Sequence, residues 1–140
     1  MTEHLPHRLL KITLWSLAAY FLLISLAHIS GTKLPLLFVY FDVPSTVYQD
    51  RIISFFALGW AFFVATGAKD PLSNLALVRA LIASALGAVA VLAYINFTTD
   101  FAAYSPDIAV WKFWAQTAML AILTLWIMVL YRLVRNQGQR

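Results

Sequence analysis

Histidine is the residue type in this sequence with the widest chemical repertoire, and the chain has three. His4 and His7 are three residues apart, a spacing that can place two imidazoles on one helical face to hold a metal. Two ligands at a chain terminus make a poor metal site, however, and a haem held between two helices needs an axial ligand from each. His28 is the only histidine within a long apolar stretch. We therefore predict no metal site and no cofactor.

The other residue patterns that support catalysis are missing from the sequence. The chain has no cysteine, which excludes thiol chemistry and a cysteine-ligated metal. It has no glycine-rich phosphate loop, no serine nucleophile elbow and no carboxylate pair at a motif spacing. No acidic residue, lysine, arginine or histidine lies in the middle of an apolar stretch, so one copy lacks the usual residues of a proton relay or an ion pathway. We predict no catalytic residue.

Polar residues at one end of the apolar stretches are candidate contacts for a ligand or a partner. Arg51, in the first turns of a helix, opposes the helix dipole and should pair with an acidic side chain or a lipid phosphate. A salt-bridged rim explains such residues more simply than a catalytic pocket. The residues of this predicted rim are His28, Asp50, Arg51, Asp100, Asp107 and Lys112.

Two further candidates lie within the first and last apolar stretches. Tyr20 and Gln116 belong to polar stripes on one side of each predicted helix. These stripes should face the protein interior, where hydroxyl and amide groups bond across helices instead of meeting hydrocarbon. They are also placed to line a cavity for a lipophilic ligand.

The segment 31–46 contains an apolar run of eight residues, 34–41, which is too short to span a membrane and includes Pro35. Such a run cannot lie bare in water. It should lie along the membrane interface, re-enter the bundle or be covered by another protein. Phe38 and Tyr40 are the candidate contacts in this segment.

The elements that position these residues are membrane helices. The chain is 62% hydrophobic and 11% charged, with a mean hydropathy of +0.80, and this composition is typical of a protein in lipid. Roughly 20 residues cross the roughly 30 Å hydrocarbon layer as a helix. Helix-capping patterns, such as Gly31 at the end of the first stretch, refine the bounds. We predict one all-α domain with spans at roughly 10–30, 47–67, 75–97 and 108–132.

The distribution of Lys and Arg predicts the orientation. Seven lie at one set of helix ends and three at the other, which places both termini in the cytoplasm in an up-down bundle. A bacterial inner membrane fits this pattern best. The pI near 9.6 reflects a basic rim facing anionic lipid, so we predict the bilayer as a partner and no nucleic acid. The seven are Arg8, Lys11, Lys69, Arg79, Arg132, Arg135 and Arg140; the three are Lys33, Arg51 and Lys112.

Small residues predict how the helices pack. Ala57, Ala61 and Ala65 repeat every four residues on the second predicted helix, and Ser84 and Gly87 belong to a similar set on the third. Because helices in lipid associate through the close packing of small residues, these two sets predict a tight hairpin between the second and third helices.

The leading functional hypothesis is a small non-enzymatic inner-membrane protein that acts as an accessory or assembly subunit. It would bind a larger membrane complex or copies of itself through its apolar flanks and its 31–46 segment. One alternative is a protein that binds or converts a quinone or lipid between the first and fourth helices, with Tyr20, His28 and Gln116 as polar contacts. A second alternative is an oligomeric channel.

Overall fold

The computed structural model describes residues 5–32, 47–104 and 108–137 of the chain. Within these ranges the regular structure is entirely helical. Four helices are long and apolar enough to cross a membrane, which confirms the prediction of an all-α chain with four helices of that kind. They are α1 (Leu5–Ser30), α2 (Val47–Lys69), α3 (Leu75–Thr98) and α4 (Val110–Gln137), and a short 3-10 helix (Phe101–Ala103) follows α3. Most of the 31–46 segment, with Phe38 and Tyr40, lies outside the described residues, as does Asp107.

The end of α1 shows how the sequence sets a helix boundary. Gly31 has a φ of +68°, the left-handed conformation that favours glycine. The backbone N–H of Gly31 donates to the His28 carbonyl, and that of Thr32 donates to the Ala27 carbonyl. These are the two hydrogen bonds of a Schellman cap, so the predicted stop at Gly31 is confirmed.

The turn between α2 and α3 is held by one carboxylate. Asp70 Oδ1 accepts hydrogen bonds from the backbone N–H groups of Leu72 and Ser73, and Oδ2 accepts from the Ser73 hydroxyl at 2.5 Å. These bonds lower the pKa of Asp70 below its usual range, the Ser73 hydroxyl being the main cause. The turn leads directly into α3, which begins at Leu75.

Each of the four long helices contributes to one main core. The most extensive contact is between α1 and α2, followed by that between α3 and α4. α1 also contacts α4, and the contact between α2 and α3 is the smallest of these four. A smaller cluster lies near the end of α3 and the start of α4, where Phe101 stacks on Phe113 with ring centroids 4.4 Å apart. The buried residues of the main core are Leu10, Leu14, Ala18, Val64, Ala68, Val78, Leu81, Ile127, Leu130, Tyr131 and Val134.

The packing differs from the predicted hairpin of small residues. Ala57 and Ala61 are buried and Ala65 is half-buried, but Ser84 and Gly87 are exposed. α2 does come close to α3 at Gly67, where an added Cβ would lie 3.7–3.8 Å from side chains of α3. The two small sets therefore do not face each other, because α3 turns its bulky Val78 and Leu81 toward the core instead.

Candidate functional site

Buried polar side chains join α1 to α2. Ser25 and Ser54 are almost fully buried, and their hydroxyl oxygens lie 3.2 Å apart. One turn away on each helix, His28 Nδ1 lies 3.2 Å from Asp50 Oδ1. Residues three or four apart share a helix face, so these two contacts form one strip, the α1–α2 polar seam. The seam brings the last turns of α1 beside the first turns of α2.

The chemistry of the α1–α2 polar seam is limited by its pairing. A carboxylate at an imidazole nitrogen fixes the ring orientation, as it does in catalytic and metal sites. A serine nucleophile activated by histidine needs in addition a hydroxyl bonded to the imidazole. In the described part of the chain the Ser25 hydroxyl is paired with Ser54. The seam thus joins two helices through polar contacts.

A second polar group joins α3 to α4. The Asn96 side-chain Nδ2 donates to Thr117 Oγ1 at 3.0 Å, and the Thr117 hydroxyl donates to the Phe113 carbonyl at 2.9 Å. Asn96 Oδ1 and Gln116 Oε1 are buried without a hydrogen-bond partner among the described residues. A buried acceptor without a donor is unfavourable, so the α3–α4 polar group holds unused hydrogen-bonding capacity.

The predicted rim is only partly assembled among the described residues. Arg51 is exposed on the first turns of α2. Asp100 Oδ1 accepts a hydrogen bond from the Ala102 N–H at 3.1 Å and so caps the 3-10 helix after α3. No ion pair between Arg51 and Asp100 forms in the described part of the chain. His28 has Asp50, another residue of the predicted rim, as a partner.

The polar residues predicted to line a cavity between α1 and α4 have separate surroundings. Tyr20 is half-buried and its ring meets Phe21 edge-on, with centroids 6.0 Å apart. His28 turns toward α2. The described polar contact between α1 and α4 lies elsewhere, where Trp126 Nε1 donates to Thr13 Oγ1 at 3.2 Å. The structure therefore does not join Tyr20, His28 and Gln116 into one polar site.

Sequence reasoning missed three residues of these polar groups: Ser25, Ser54 and Asn96. Each is a small polar residue within an apolar stretch, and a single such residue carries little information. A usable signal is the spacing: Ser25 lies three residues from His28, and Ser54 lies four residues from Asp50. These spacings put a hydroxyl and a titratable group on the same face of each helix.

Comparison with known proteins does not assign a function. The sequence matches no family model, and it shows no significant similarity to a characterised protein or to a solved structure. Among the described residues, no three His, Cys, Asp or Glu side chains are grouped to hold a metal. What the structure supports directly is an integral membrane protein with four helices of spanning length and composition.

Proposed function

We propose that this chain is a small non-enzymatic protein of the bacterial inner membrane, an accessory or assembly subunit that associates through α3 with a larger complex or with copies of itself. In this proposal the four helices run up and down across the bilayer, and both termini lie in the cytoplasm. The excess of Lys and Arg at one set of helix ends supports that orientation.

The observation that carries the proposal is the exposure of α3. Of its 24 residues only Val78, Leu81 and Asn96 are buried. A row of exposed small residues, the α3 small-residue face, runs along the other side within an arc of about 100° at 100° per residue. Its members are Ala76, Ala80, Ala83, Ser84 and Gly87. A Cβ added at Gly87 would meet nothing from another described helix within 4 Å.

The exposed side of α2 is different and has the side chains expected of a lipid-facing surface. It carries Phe55, Phe56, Phe62 and Phe63, each at least 60% exposed. Large apolar side chains suit contact with acyl chains. Small residues instead let two helix backbones approach closely, which is how helices associate in lipid. The α3 small-residue face therefore favours another helix as its neighbour.

Co-purification in mild detergent tests the association. We expect the wild-type chain to retain a stoichiometric protein partner or to form a discrete homo-oligomer, and Gly87→Leu to lose it. Gly59→Leu is the matched control, since a Cβ at Gly59 also meets nothing within 4 Å among the described residues. Gly59 lies amid the α2 phenylalanines, so this variant should keep the partner. A wild-type monomer that carries only lipid would contradict the proposal.

Single-cysteine labelling tests the orientation. Because the sequence has no cysteine, the introduced cysteine is the one thiol that can react. Leu5→Cys, Thr32→Cys and Asn136→Cys change exposed positions at helix ends. In vesicles of known sidedness, a membrane-impermeant maleimide should reach Cys at 5 and 136 only from the cytoplasmic side, and Cys at 32 only from the other. Labelling of 5 and 136 from opposite sides would contradict the proposed topology.

A further inference from the structure

An open cavity of about 250 Å³ lies between the first turns of α3 and the last turns of α4. Arg79 approaches it from α3, and Arg132 and Arg135 approach it from α4. The side chains of three arginines from two helices thus contribute to the lining of one space, and the exposed lining itself is mainly apolar. The complete lining, called here the arginine cleft, is Arg79, Ile82, Met128, Tyr131, Arg132 and Arg135.

The positive charge of the arginine cleft is not balanced by carboxylates in the described part of the chain. The three acidic residues of that part have contacts elsewhere: Asp50 with His28, Asp70 within its own turn, and Asp100 with the Ala102 N–H. The guanidinium carbon of Arg135 lies 5.9 Å from the centre of the Tyr131 ring, a contact that orients the side chain and leaves its charge in place. Three positive charges at the ends of two adjacent helices make the binding of an anion there favourable.

The lining of the cleft changes from basic to apolar within one helical turn. Ile82 follows Arg79 by three residues on α3, and Met128 precedes Arg132 by four on α4. Both apolar residues therefore lie on the same faces as the arginines and about one turn further from the helix ends. A free inorganic anion would contact only the basic part of this lining. An amphiphile with a phosphate head and an apolar body would use both parts.

We infer that the arginine cleft binds the head group of an anionic phospholipid. The phosphate oxygens accept hydrogen bonds from the guanidinium groups, whose planar forks match phosphate geometry. The glycerol and acyl region lies against Ile82 and Met128. Basic pockets between membrane helices are suited to such head groups. The inference is independent of the proposed accessory role, because the cleft and the α3 small-residue face share no residue.

Lipid-dependent thermal unfolding of the full chain, purified and delipidated in mild detergent, tests the inference. Phosphatidylglycerol should raise the melting temperature of the wild type more than phosphatidylcholine does, because binding to the folded state stabilises it. Arg132→Gln should raise the half-saturating phosphatidylglycerol concentration about fivefold, the effect of one basic residue near a membrane surface. Arg8→Gln removes the same charge from an exposed position outside the cleft and should leave that concentration unchanged.

Three results would overturn the inference. An equal shift with phosphatidylcholine would show that head-group charge is irrelevant. Equal weakening by Arg8→Gln and Arg132→Gln would assign lipid binding to a diffuse basic rim. A shift of the same size with inorganic phosphate would assign the cleft to a soluble anion. Arg132 is exposed, so the variant should melt like the wild type without lipid; if it does not fold, Arg79→Gln on the other helix makes the same test.

Discussion

Two helices of this protein carry the same pattern of small residues and use it in opposite ways. On α2, Ala57 and Ala61 are 6% and 7% exposed. On α3, Ser84 and Gly87 are exposed, with open space beside Gly87 in the described structure. The pattern thus indicates a surface suited to helix packing, but it does not say whether the partner helix belongs to the same chain.

The neighbours of each helix explain the difference. The small-residue face of α2 packs toward α1. The α1–α2 polar seam joins these two helices, as does the stacking of Phe21 on Trp60, with ring centroids 6.1 Å apart. In contrast, α3 is held by its opposite side, through Val78 and Leu81 in the main core and through Asn96 bonded to Thr117. The α3 small-residue face therefore points away from the other described helices and is exposed.

The largest expected effect comes from enlarging a small residue on the buried face. Ala61 shares that face with Ser54 and Val64, so Ala61→Leu must push α1 and α2 apart. Overpacking of this kind destabilises a protein by about 1–3 kcal/mol. We expect a clear drop in the detergent melting temperature.

The matched control is Ala118→Leu, the same change at an exposed position of α4. It should leave the melting temperature close to that of the wild type. Equal melting temperatures for the two variants would remove the basis for treating the α2 face as the packed one.

A smaller loss of stability should follow when the hydrogen bond between Asn96 of α3 and Thr117 of α4 is removed. Thr117→Val removes the hydroxyl that accepts from Asn96 and leaves that buried amide without this acceptor. Hydrogen bonds between membrane helices contribute about 0.6 kcal/mol on average, and the buried amide left without its acceptor brings the expected loss to about 1 kcal/mol. Thr66→Val on α2 is the control, because that exposed hydroxyl bonds only to the carbonyl of Phe62 in its own helix. Equal melting curves for Thr117→Val and the wild type would show that this bond does not hold α3.

Two serines sharpen the comparison between the helices directly. Ser54→Ala removes the buried bond to Ser25 and should lower stability by about 0.6 kcal/mol, the average for such bonds in a membrane protein. Ser84→Ala makes the same change on the exposed face of α3 and should have no effect on unfolding of the purified monomer. A reversed order of the two variants in denaturant unfolding would contradict the assignment of faces.

The smallest expected effect concerns the turn between the two helices. Because the folded-state pKa of Asp70 is lowered, its contribution to stability is complete above the unfolded-state value of about 3.9 and is lost as pH falls through the folded value. Asp70→Asn should therefore flatten the acid side of the stability profile below about pH 4. The profile above that pH should keep its shape, and a change of slope near neutrality would point to a different group.

The helices were predictable because their signals are local. Uncharged stretches of spanning length and a glycine after the first stretch defined elements that the structure contains, including the Gly31 cap. The packing was not predictable in this way, because which faces meet depends on the side-chain volumes of all four helices together. Likewise, His28 and Asp50 are 22 residues apart, and only the folded packing of α1 on α2 makes them partners.

Photo-crosslinking from single cysteines in native membranes tests the central claim most directly. A thiol-reactive photo-crosslinker placed on Gly87→Cys should yield a discrete protein adduct, either with a second copy or with another membrane protein. The same reagent on Gly59→Cys, among the α2 phenylalanines, should yield lipid adducts only. Lipid adducts alone from both positions would contradict the claim that another helix covers the α3 small-residue face.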